Sequence, residues 1–101
     1  MSSVMRPEVI SFLELGPLPR EKGAKADQVF GLETALKAIE APVTREEAVA
    51  LATAFGPDDC FGLSWTLLHL IESAPGGPPL DSLPAGDNEW IILIRQRSAR
   101  V

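Results

Sequence analysis

The stretch Asp58-Asp59-Cys60-Phe61-Gly62-Leu63-Ser64-Trp65-Thr66-Leu67-Leu68-His69-Leu70-Ile71-Glu72-Ser73 decides the fold. It predicts one helix with a marked start and a marked stop. Asp58 or Asp59 offers a carboxylate to the free N–H groups of a helix N-terminus. Pro75 in Ala74-Pro75-Gly76-Gly77 ends the run, because proline lacks the N–H and disfavours helical geometry in the residue before it. Such a rod is about 24 Å long. Phe61, Trp65 and Leu68 fall on one face, and Leu63, Leu67, Leu70 and Ile71 on another. A helix that is apolar over more than half its circumference is gripped by neighbours on those sides, so 58–73 is expected to be the central helix.

The flanking sequence supplies those neighbours. Residues 1–6 carry no structural signal and are expected to be loose. Pro7 suits the first position of a helix; Val9, Ile10, Phe12, Leu13 and Leu15 fill it, and Gly16-Pro17 stops it. A short strand at 9–13 is the competing assignment, since periodicity does not separate short apolar runs. Leu18 to Gly23 reads as a polar linker. A second helix spans about Asp27–Glu40, with Val29, Leu32, Leu36 and Ile39 on one stripe and Glu33–Lys37 as a solvent-side pair. Thr44 and Glu47 form a capping-box pattern opening a third helix, in which Ala48, Leu51, Ala52 and Phe55 face inward until Gly56-Pro57. The short link between the second and third helices predicts an antiparallel hairpin. Residues 74–88 are rich in proline and glycine and predict a long loop, with Leu80 and Leu83 to hold it. Asp87 or Asn88 caps a last helix that buries Trp90, Ile91, Leu93 and Ile94, with Ile92 widening the apolar arc. The whole pattern is all-α: a compact bundle of four to five helices in a single domain over 1–101.

Charge narrows the classes of function. The net charge is −5, which disfavours a general nucleic-acid binder, since phosphate contacts need a basic surface. Over residues 44–94, Arg45 stands alone against Glu46, Glu47, Asp58, Asp59, Glu72, Asp81, Asp87 and Glu89, and such a field favours a basic partner. A single cysteine excludes an internal disulfide framework or a Cys-rich zinc module. No signal peptide is recognisable at the N-terminus and no stretch is long and apolar enough for a membrane span, so a soluble cytoplasmic protein is expected.

Few residues suggest chemistry. His69 is the only histidine. With Gly62, Thr66 and Ser73 it makes a polar stripe along the central helix. That stripe is either a buried histidine with its hydrogen-bond partners or a polar groove for a ligand. No nucleophile pairs with His69: Cys60 is about 13 Å away along the helix axis, and Asp58 and Asp59 oppose its thiolate. Asp58, Asp59, Asp87 and Glu89 sit at two expected helix starts, where capping accounts for them, though they would converge if the 74–88 loop folds back. Their spacing matches no calcium loop, and no metal or cofactor motif is present. Trp65 and Trp90 are core residues or, if left near the surface beside carboxylates, binding anchors.

In size and acidity the chain resembles small intracellular inhibitor or immunity-type proteins that cap a basic toxin or enzyme, a likeness of composition without a shared motif. The resulting expectation is a non-enzymatic protein-binding module for a basic partner. Its face would be Asp58, Asp59, Asp87, Glu89 and the proline-rich loop, with Trp65 or Trp90 as anchor. The alternatives are a small enzyme or ligand-binding protein using the groove at Gly62, Thr66, His69 and Ser73, and a homodimer through the arc of the last helix.

Overall fold

Each helix begins where the local chemistry lets it begin, and in one case that is later than the apolar pattern implies. The computed structural model describes residues 5–84, 86 and 88–99, and these contain helices and turns with no strand. Helix α1 is Pro7–Leu15, α2 Ala26–Lys37, α3 Arg45–Leu51, α4 Leu63–Glu72 and α5 Glu89–Ala99; single 3-10 turns occupy Ala52–Ala54 and Leu80–Ser82. The protein is an all-α bundle with a radius of gyration of 13.0 Å, the value of a closely packed chain of this length.

Thr44 and Glu47 form the capping box in full. The Thr44 hydroxyl accepts from the Glu47 N–H, and the Glu47 carboxylate accepts from the Thr44 N–H. The same carboxylate is buried and accepts from the backbone N–H and the guanidinium of Arg6. Arg6 was expected in a loose tail; it is instead clamped to α3, and this clamp fixes the entry to α1. Burial pushes the Glu47 carboxyl up, but the hydrogen bonds from Arg6 and Thr44 outweigh that and hold it at about 2.

Helix α4 starts at Leu63, and the expected start at Asp58 is corrected by the backbone of the preceding turn. Cys60, Phe61 and Gly62 have φ of +48°, +56° and +87°, the left-handed region, which cannot belong to a right-handed helix. The Asp58 carboxylate causes the turn rather than a cap: it accepts from the Cys60 N–H two residues on, an Asx-turn. Below that turn the helix is as central as its composition demands. Leu63, Ser64, Leu67, Leu68, Leu70 and Ile71 are buried, and α4 packs on α3, α5 and α2.

The expected α2–α3 hairpin is not formed. Helix α2 packs chiefly on α1, and α3 on α4 and α1. The connecting segment is drawn elsewhere: the Val43 N–H donates to Ser73 Oγ at the end of α4 (3.1 Å), and Ile39 and Val43 are buried. Leu18, expected in a polar linker, is core; its N–H donates to the Ala54 carbonyl (2.9 Å). In the long loop Pro79 and Leu83 are buried and Leu80 half-buried. The buried apolar side chains of all five helices join in one cluster. No helix among the described residues is long and apolar enough to cross a membrane.

Candidate binding surface

The turn before α4 pushes a phenylalanine into solvent and locks it there. Residue 21 and the turn clasp each other. The Glu21 N–H donates to both Asp58 carboxylate oxygens (3.3 and 3.1 Å), and the Glu21 carboxylate accepts from the Phe61 N–H (2.6 Å). With two non-glycine residues at positive φ, the turn is a costly conformation that the surrounding hydrogen bonds enforce. Its result is Phe61 at 60% exposure. Phe30 of α2 is 68% exposed. Both rings line a mostly apolar cleft of about 360 Å³, together with Ala24, Ala26, Val29 and Glu33.

The electrostatic surroundings of the turn are acidic. Beneath it Cys60 is a buried free thiol. Burial pushes this thiol up, and the Asp58, Glu21 and Asp59 carboxylates push it the same way. A thiol so placed is a poor nucleophile, so Cys60 offers structure and not chemistry. Glu33, inside the cleft, pairs with Lys37 one turn on (3.1 Å).

The sequence-derived site residues divide into structural and exposed groups. Trp90 is 8% exposed: its ring stacks on Phe55 (5.9 Å between centroids), meets Trp65 edge-on (5.1 Å), and its N–H donates to the Asp58 carbonyl (3.1 Å). It belongs to the core and is no surface anchor. Trp65 is 41% exposed and lies beside His69, itself exposed. Asp58 is half-buried and occupied by the turn, whereas Asp59 and Glu89 are exposed; Asp87 lies outside the described residues.

The start of α5 meets the segment that leads into the turn before α4. The Asn88 amide donates to the Gly56 carbonyl (3.2 Å), and its Oδ1 accepts from the Trp90 N–H (2.9 Å), the capping interaction that opens α5. Among the described residues no group of three or more His, Cys, Asp or Glu side chains is gathered to hold a metal ion.

The polar stripe of α4 is not one groove. Gly62 is the left-handed residue preceding the helix, Thr66 is half-buried, and Ser73 is occupied by its bonds to Val43 and the Leu70 carbonyl. On α5, Trp90, Ile91 and Ile94 are buried inside the bundle, leaving Ile92 as its exposed large apolar side chain.

The Phe30–Phe61 cleft is hard to read from the sequence for two reasons. The apolar pattern puts Phe61 inside a helix, although Asp58 and Gly62 flanking it are turn formers. Phe30 lies off the Val29–Leu32–Leu36 stripe of α2, and a large apolar residue off the buried stripe is itself a signal. Glu21 gave no signal, since its role depends on a contact with a residue far along the chain.

Comparison of the chain with known protein families, characterised proteins and solved structures finds no match.

Proposed function

We propose that this protein is a non-enzymatic protein-binding module, and that its partner presents a basic surface. One observation carries the reading. Phe30 and Phe61 are both mostly exposed, line the same apolar cleft, and one of them sits on a strained turn with carboxylates around it. A conformation that costs energy yet exposes a large aromatic ring is the mark of a surface selected for contact. Exposed aromatic rings supply holding energy in such contacts, while acidic groups at the rim speed encounter with a cationic partner. Glu33 lines the cleft, Glu21 accepts from the Phe61 N–H, and Asp59, two residues before Phe61, is exposed, as is Trp65 on α4. In this reading the chain acts by covering a basic surface of another protein, as an inhibitor or immunity-type protein does, in the cytoplasm.

The experiment is cross-linking capture in the native cells with three versions of the chain: wild type, Phe30→Ala and Asp59→Arg. A partner captured by the wild type and lost in both variants, with their folding unchanged, supports the module. Capture that is indifferent to both substitutions removes it.

A further inference from the structure

We infer that the 58–62 turn is a two-position element and that Glu21 is its latch. With Glu21 engaged the turn is left-handed and Phe61 lines the cleft with Phe30. With Glu21 withdrawn the same residues become the first turn of α4, capped by Asp58, and Phe61 leaves the cleft for the side of Trp65. The use of such a latch, deciding whether Phe61 is offered to a partner, rests on the binding-module reading.

Glu21 holds the two halves of a helix cap apart. In a helix capped by Asp58, the Asp58 carboxylate accepts from the N–H of the second or third residue after it, Cys60 or Phe61. The bond to the first is present: the Cys60 N–H donates to Asp58 Oδ1 (3.0 Å). The bond to the second is replaced at both ends. The Phe61 N–H donates to the Glu21 carboxylate (2.6 Å), and the Glu21 N–H donates to both Asp58 carboxylate oxygens (3.3 and 3.1 Å). One residue of the α1–α2 connection thus occupies donor and acceptor alike. That residue is free to withdraw on its own, since Arg20, Lys22 and Gly23 around it are exposed.

The side chains suit the rewound position too. Continued backward from α4 at helical spacing, Cys60 falls four residues before Ser64 and seven before Leu67, both buried. The thiol, buried now, therefore stays on the buried face. Phe61 falls four residues before Trp65, which is 41% exposed and has room beside it. Rewinding breaks the bond from the Ser64 hydroxyl to the Asp58 carbonyl (2.9 Å); the hydroxyl then reaches the Cys60 carbonyl four residues back, a common partner of a helical serine. The Trp90 indole keeps the Asp58 carbonyl, which precedes the left-handed residues. Cys60 and Phe61 give up φ values of +48° and +56°, which residues with a side chain adopt at a cost. Strain held in place by neighbouring groups is the usual store of a two-position element.

The test is NMR of the isotope-labelled full chain as wild type, Glu21→Ala, Glu21→Gln and Gly62→Ala. The readouts are the handedness of 59–62 and the through-space contacts of the Phe61 ring. Glu21→Ala removes the acceptor of the Phe61 N–H. Gly62→Ala penalises the left-handed position, and the added methyl meets no atom within 4 Å, so the backbone alone is perturbed. Each of these two is expected to turn the majority of molecules right-handed at 59–62. Contacts from residue 58 to 61 and from 59 to 62 appear, and those of the Phe61 ring shift from Val29 to Trp65. Glu21→Gln keeps an acceptor and is expected to stay left-handed, as the wild type does.

A turn in Glu21→Ala that stays left-handed, or that loses its order without gaining the helical contacts, overturns the latch. Rewinding in Glu21→Gln as complete as in Glu21→Ala overturns the hydrogen bond as the holding contact. A Gly62→Ala protein that folds with the turn still left-handed overturns the second position; if that variant does not fold, Glu21→Ala decides alone. No partner enters these measurements, so the module reading stands or falls separately, on whether cellular capture depends on Phe30 and Asp59.

Discussion

The indole N–H of Trp90 donates to the backbone carbonyl of Asp58 across 3.1 Å, tying the start of α5 to the turn that precedes α4. The same carbonyl also accepts from the Ser64 hydroxyl (2.9 Å), so it keeps a partner if the indole is removed. Trp90→Phe, which keeps an aromatic ring against Phe55, is therefore expected to cost about 1 kcal/mol. Trp90→Ala, which empties the space between Phe55 and Trp65, is expected to cost about 3–5 kcal/mol. Urea unfolding of the two variants separates ring from hydrogen bond; equal losses would show that the bond dominates.

Acid sensitivity should centre on Glu47. Its carboxyl is held at about 2 in the folded protein, against an ordinary 4.5, so the unfolded chain takes up the proton more readily. The stabilisation is complete above about pH 4.5 and is lost as pH falls toward 2, on the order of 3 kcal/mol in all. Chemical denaturation at stepped pH should show this fall in the wild type. Glu47→Gln, less stable at neutral pH, should show a shallower fall. Parallel profiles for the two proteins would deny Glu47 the role.

Two glycines of different surroundings should respond oppositely to alanine. A methyl at Gly56 would collide with the carbonyl oxygen of Leu18, whose own N–H is bonded to Ala54, so neither strand of backbone yields easily. Gly56→Ala is expected to cost about 1–3 kcal/mol or more. Gly31 lies within α2 with nothing within 4 Å of an added methyl. Gly31→Ala is expected to gain about 0.5–1 kcal/mol from helix propensity. Thermal melts of the pair test the packing at Leu18 directly.

Cys60 should resist modification until the protein unfolds. Burial, then the carboxylates of Asp58, Glu21 and Asp59, push its thiol up, and the side chain is fully covered. Alkylation at pH 8 is expected to be slow in buffer and rapid in denaturant. Prompt labelling of the folded protein would mean that the 58–62 turn opens readily, and would weaken the case for a fixed Phe61.

Much of the fold was legible because local rules sufficed. Thr44 with Glu47, Pro7, Asn88 and the spacing of Leu32 and Leu36 each announce a helix through its own residues. The candidate surface was less legible. Residue type and position single out Asp59, Trp65 and Trp90; the first two are exposed, whereas Trp90 is buried, because its environment is built by Phe55, Trp65 and Asp58 from other parts of the chain. Phe30 and Phe61 give no such signal, since an apolar residue in a helical pattern reads as core unless its neighbours are known.

By itself the sequence determined that the chain is helical, acidic and organised about the apolar run that ends at Ser73, because periodicity, caps and breakers act within a few residues. Only the tertiary structure decided that α4 begins at Leu63, that α2 lies on α1 and not on α3, and that Phe61 points outward. The reason is the same in each case: contacts such as Glu21–Phe61, Val43–Ser73 and Arg6–Glu47 join residues thirty or more positions apart, and no local pattern encodes which distant group will supply the hydrogen bond.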